Sequence, residues 1–208
     1  MELQYFGANC VKITGKKFSV VIDDNLSELG LKSVTKPTDI SLRTSLIFPE
    51  HPEAVFTAEI PGEYEISGAI IHGVAARAHM DEEGKKSATI YTIEAEDVKV
   101  AVLGHIFPDL SEDQLEQIGM VDVLMVPVGG HGYTLDGVGA LSLIKKIEPK
   151  FVIPTHYADK SIKYAMPQAE LAEAIKAIGM EPAEKTPKYK VRPAEPADTT
   201  KLIVLERQ

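Results

Sequence analysis

What limits this chain most is a change in the spacing of its apolar residues about halfway along. In the first half they come in short, partly alternating runs at residues 2–6, 10–14, 18–23, 44–48, 55–59 and 64–75, parted by Gly, Pro and charged residues. That pattern predicts strands joined by turns. Runs at 88–93 and 98–103 flank Glu94, Ala95, Glu96 and Asp97, which predicts a hairpin with an acidic turn. From Ser111 the spacing alternates. A helix is predicted from Ser111 to Gly119, with a Ser111/Gln114 capping box, acidic Glu112 and Asp113 in its first turn and glycine at its end. Then follow a strand at 121–128, a helix at 136–147, a strand at 151–155, a helix at 168–178 and a strand at 201–206. In the last helix Leu171, Ile175 and Ile178 mark the buried stripe, Pro167 fits the first turn and Gly179 the stop. Residues 181–200, rich in Pro, Lys and Glu, read as a surface excursion. The whole is an α/β pattern.

Size permits a substantial core without disulfides, since 208 residues carry 44% hydrophobic and 25% charged side chains. One domain over residues 1–208 is expected. With 31 acidic against 22 basic side chains the formal charge is −9, which repels nucleic-acid phosphates and anionic lipid. No apolar run approaches the ~20 residues of a membrane-spanning helix, so neither nucleic acid nor a membrane is an expected partner. The lone Cys10 cannot form an internal disulfide, and the opening MELQYFGANC lacks the basic and apolar regions of a secretion signal. A cytoplasmic location is expected, with Cys10 a buried, inert thiol.

Three of the six histidines stand just past expected strands: His105, His156, and His131 within the glycine-rich VGGHGYTLDG. Layered α/β folds put functional groups at strand ends. Each alone is explained as a hydrogen-bonded or solvated loop residue; together they point to one site. His72 alternates with Ile70 and Val74 and belongs to a sheet face.

The stretches QYFGANCVKITGKKFSVVID, IPGEYEISGAIIHGV, VDVLMVPVGGHGYTLD and IEPKFVIPTHY resemble, in order and spacing, the ascorbate-6-phosphate-lactonase-like branch of the metallo-β-lactamase superfamily. That resemblance implies a four-layer αββα sandwich with a metal site along one edge of the sheets, a small-molecule ligand and a homo-oligomer. It also exposes departures. The HxHxDH loop of the family, after a strand aligned with 39–44, reads SLIFPEH: Ser45 and Ile47 replace the paired histidines, Pro49 the aspartate and Glu50 the last histidine, beside His51. His105 stands in place of the metal-bridging aspartate. His156 is retained, and His79 matches a further family histidine if the loop shifts by one residue. By the same resemblance Asp23 supports the metal loop from beneath, the alternative being a turn or cap residue, and Asn9, in the opening motif of the family, is a candidate substrate-binding residue.

A two-metal centre needs a bridging carboxylate, and a neutral imidazole offers one lone pair. At most one divalent ion, Zn or Mn, is therefore expected, on His105, His156, His79 and Glu50, with His51 an alternative fourth ligand, or else none. Two readings compete. In one, the protein hydrolyses an ester, lactone or phosphoester with Glu50 as ligand or general base, His131 binding or protonating the substrate, and Tyr133 and Tyr157 touching it. In the other, it is a metal-free, non-catalytic binding or assembly module on the same fold. Acid–base catalysis by the histidines without metal is a third possibility.

Overall fold

A computed structural model describes residues 1–193 and 199–208. In chain order the elements are β1 (Glu2–Gly7), β2 (Cys10–Thr14), β3 (Ser19–Ile22), β4 (Ile40–Leu42), β5 (Phe56–Ala58), β6 (Gly62–Ile66), β7 (Ala69–Ala76), β8 (Ala88–Ala95), β9 (Val98–Val102), α1 (Glu112–Ile118), β10 (Val123–Pro127), α2 (Gly137–Ile147), β11 (Phe151–Thr155), α3 (Leu171–Ile178), β12 (Pro182–Thr186), β13 (Tyr189–Lys190) and β14 (Lys201–Leu205). They form a six-stranded sheet, β13-β1-β2-β3-β4-β5, and an eight-stranded sheet, β12-β14-β11-β10-β9-β8-β7-β6. Both are mixed. In the first, β1 to β3 pair antiparallel and β3, β4 and β5 parallel. In the second, β6 to β9 form an antiparallel meander and β9, β10, β11, β14 and β12 are parallel.

Two faces of apolar side chains explain the layering. Leu3, Ile13, Val20 and Leu42 of the first sheet meet Ile71, Ile93, Met125 and Ile153 of the second. The alternate residues of the same strands, Ile90, Leu124, Val126 and Val152, face outward under Ile118, Leu143, Ile147 and Ile178 of the helices. Strands buried on both faces read as continuous apolar runs, which is why VLMVP carries no alternation. The outer face of the first sheet has no helix among the described residues. There Leu26, with Leu31 and Val34, covers Cys10 and Val21 from an irregular segment.

Most expected elements are present, with instructive shifts. The Ser111/Gln114 capping box forms and Gly119 ends α1. Residues 44–48 are not a strand: the strand lies at Ile40–Leu42, and beyond it only Ser45 makes an isolated bridge, to Ala88. The expected run at 64–75 is a hairpin, because Ser67 and Gly68 both take positive φ (54° and 79°) and turn the chain. Helix α3 starts at Leu171, leaving Pro167 outside it, since Gln168 and Ala169 bond instead to His156 and Gly129. The 181–200 excursion supplies β12 and β13, its residues 194–198 lying outside the described ones. No helix among the described residues is long and apolar enough to cross a membrane.

Candidate functional site

The parallel pairing of β9, β10 and β11 brings their C-terminal ends to one edge, and each strand there delivers a short loop. Glu and His side chains do not meet there as a ligand set. What the edge holds is a saturated polar floor, a pair of histidines on it, and a loop above them.

The floor begins at Asp23, buried and in the left-handed region (φ 54°) just past β3. It accepts from Asn9 Nδ2 (2.7 Å), the Thr44 amide (2.7 Å) and Thr44 Oγ1 (2.6 Å). Asn9 in turn accepts from Thr155 Oγ1 at 2.7 Å. Four segments of chain are thereby tied to one carboxylate. Burial pushes Asp23 up to about 6, against the lowering by Thr44, Asn9 and the Arg43 guanidinium. Gly104, at φ 64°, lets the β9 loop lie against Thr44, whose side chain a Cβ there would overlap. Asn9 is thus a floor residue with its side chain spent, not a group facing a substrate.

His105 and His156 lie above this floor, 4% and 3% exposed, with ring centroids 4.7 Å apart and planes at 89°. The His156 amide donates to the Ala8 carbonyl (2.6 Å), and its Nδ1 lies 2.9 Å from Gln168 Oε1. An amide oxygen only accepts, so Nδ1 carries the proton and Nε2 keeps its lone pair. Burial pulls His156 down to about 4, and burial followed by His156 and His79 pulls His105 well below the ordinary histidine value. Both imidazoles are neutral at pH 7. Neither ring nitrogen of His105 has a hydrogen-bond partner. Its ring is enclosed by Tyr133 (4.9 Å) and Phe48 (5.0 Å), and Tyr164 stacks on His156 at 5.2 Å.

The remaining expected residues are scattered around this pair. Glu50 has a side chain 69% exposed and pairs with Arg43 at 3.5 Å. His51 is spent on the Asp24 carbonyl (2.7 Å) and Glu53 (3.0 Å). The Tyr157 hydroxyl donates to the Leu205 carbonyl (3.2 Å) while its ring packs on Tyr5, so it does not face the pair. His79 is held by its amide on the His105 carbonyl (2.8 Å) and lines, with exposed His131, a neighbouring cavity of about 400 Å³. That cavity is walled by Pro108, Leu135 and Val138, with Ser142 and the α2 cap Asp136 as polar groups. His72 lies on β7, and Cys10 is buried, its thiol pushed up by burial and by Asp24 and Asp23. Among the described residues no three or more of His, Cys, Asp and Glu are placed to hold a metal ion. Gln168, Phe48 and Arg43 join the site without a sequence signal that singled them out.

The model of the beta-lactamase superfamily domain matches residues 2–156, and the chain belongs to that family. Over 101 residues it is 33% identical to a UPF0173 metal-dependent hydrolase of Pyrococcus horikoshii, covering 46% of this chain and 44% of that protein. Over 43 residues it is 44% identical to one of Carboxydothermus hydrogenoformans, covering 21% and 19%. The chain thus matches less than half the length of these curated relatives. The fold is that of a metallo-beta-lactamase superfamily protein of Thermotoga maritima assigned as a Zn-dependent hydrolase, at TM-score 0.76 and 23% identity over 99% of this chain and 98% of that one. A metallo hydrolase of Ignicoccus hospitalis follows the same path at TM-score 0.60 and 18% identity, covering 92% and 99%.

A metal of the kind these names imply does not fit the donor set. A catalytic zinc takes three protein ligands, and a two-metal centre adds a shared carboxylate. Here His105 and His156 have lone pairs to give, while Asp23 has three donors on its two oxygens and Glu50 is engaged by Arg43.

Proposed function

We propose that this protein is a metal-free member of its superfamily that binds a small, uncharged molecule at the histidine edge, as one domain related to the ascorbate-6-phosphate-lactonase-like branch. The observation that carries this reading is the pair of neutral, buried imidazoles with no third ligand beside it among the described residues. Of the charged groups around the pair, Asp23 is held by hydrogen bonds from Thr44 and Asn9, and Arg43 is paired with Glu50 and Glu59. Among the described residues that line the cavity there is no Lys or Arg to meet a phosphate, and the Asp136 carboxylate together with a net charge of −9 would repel it. The adjoining 400 Å³ cavity has the volume of a small-molecule site, with apolar walls and hydroxyl and imidazole groups to orient a ligand.

A second reading, one divalent ion on His105 and His156, draws support from the two unpartnered His105 nitrogens. Elemental analysis of protein purified without chelator separates the two. Less than a tenth of an equivalent is expected, to a rough threshold set by nonspecific histidine binding; a full equivalent that disappears in a His105→Ala, His156→Ala double variant would establish the ion and end the metal-free reading. A thermal-shift panel then compares neutral lactones and amides with phosphate esters. Stabilisation by the neutral set alone is expected, and a preference for phosphate esters would refute the ligand class.

A further inference from the structure

Two breaches of the usual burial rules meet in the segment after β4. Beneath it lies His105, a polar ring shut away from water with both nitrogens unpartnered. On it Leu46 and Ile47, 58% and 68% exposed, stand in solvent while Phe48 between loop and floor is 4% exposed. Local conflicts of this kind concentrate where a chain has a second arrangement to adopt.

The bonding along the segment shows where it would bend. At one end Thr44 is fixed by its amide and hydroxyl on Asp23 and by its carbonyl, which accepts from the Thr89 amide at 2.8 Å. At the other end His51 is fixed by the Asp24 carbonyl at 2.7 Å. Between them the bonds within the segment are long, Phe48 N to the Ser45 carbonyl at 3.3 Å and Ile47 N to Ser45 Oγ at 3.5 Å. One short bond holds the middle down. Buried Arg43 donates Nη1 to the Phe48 carbonyl at 2.6 Å, and its other amino group reaches Glu50 and Glu59.

We propose that residues 46–50 form a two-state lid, hinged at Ser45, which bridges to Ala88, and at His51, closed here with the Phe48 ring on His105 and latched by Arg43. Opening lifts Phe48 and gives the His105 nitrogens the polar partner they lack, water or ligand. Glu59 lies beyond β5 and keeps Arg43 in place as the lid moves. The lid holds whether the pair receives a small molecule or an ion, so its test is run in chelator with the metal content measured alongside.

The test reads carbethoxylation of each histidine by diethyl pyrocarbonate, in which an imidazole nitrogen attacks a carbonyl and ethanol and carbon dioxide leave, with sites assigned by peptide mass. Exposed His131 sets the open rate, and His156, buried but held by Gln168 outside the lid, reports whole-chain unfolding. In the parent His105 should react far more slowly than His131. Arg43→Lys and Phe48→Leu should each speed His105 by roughly tenfold, the factor that about 1.4 kcal/mol of lost closure corresponds to, and leave His156 unchanged. Glu50→Ala, a substitution at an exposed site that preserves the fold, should speed it by a smaller factor. Acceleration of His105 and His156 together, or a His105 rate unchanged in all three variants, would overturn the lid.

Discussion

The floor and the histidine pair above it adjoin, Thr155 of the one preceding His156 of the other, and they follow opposite rules. In the floor every hydrogen bond that Asp23 and Asn9 need is made within the protein, by Thr44 and Thr155. In the pair, one imidazole has a single amide partner and the other has none. The difference teaches which part is scaffold. A buried carboxylate with all its donors locks four chain segments in place, whereas buried imidazoles without partners detract from stability and are tolerated where something else is to be bound.

The sharpest way to break this comparison is Asp23→Leu, which strands the Thr44 and Asn9 donors. It should cost about 3–5 kcal/mol in urea unfolding; a loss under about 1 kcal/mol would mean that the floor is not structural. Acid titration comes next. His156, lowered to about 4 in the fold, binds fewer protons folded than unfolded between pH 4 and 6.5, so its contribution to stability is full above pH 6.5 and lost as pH falls towards 4. His105 is shifted the same way, while Asp23, raised to about 6, contributes in the opposite sense and favours the fold on the acid side. The two histidines outweigh one aspartate, and stability should fall as pH drops from 6.5 to 4. In a His105→Gln, His156→Gln variant that slope should vanish or reverse; an unchanged slope would place the titration elsewhere.

Gln168→Leu leaves His156 Nδ1 without an acceptor and should cost about 1–2 kcal/mol in the same unfolding assay. The smallest expected effect has the other sign. His105→Leu removes two unpartnered polar atoms at similar volume and should leave stability level or raise it by up to about 1 kcal/mol. A loss above about 2 kcal/mol would show that His105 has a structural partner after all.

The fold was legible in the sequence because its signals are local. Ser111 with Gln114 sets α1, Asp136 caps α2 and Gly179 ends α3. Strand ends carrying His105 and His156 were equally readable, and the two rings do meet. What the sequence hid depends on partners far along the chain. Residues 44–48 look like a strand, yet the segment is pulled out of the ladder by Thr44 on Asp23 and by Arg43 on Phe48. Glu50 reads as a ligand until the buried guanidinium of Arg43 claims it. Nothing local marks Gln168 as the residue that selects the His156 tautomer, since its place comes from Ala169 pairing with Gly129 across a loop.

The first sheet also joins segments that lie far apart in sequence. Strand β1 pairs with β13, the Val191 amide closes on Met1, and Tyr5 bridges to Arg207. Loop-closure entropy makes this pairing costly to form before the intervening strands have shortened the path between its partners. Until it forms, β1 keeps a row of backbone donors and acceptors open to pairing with another chain.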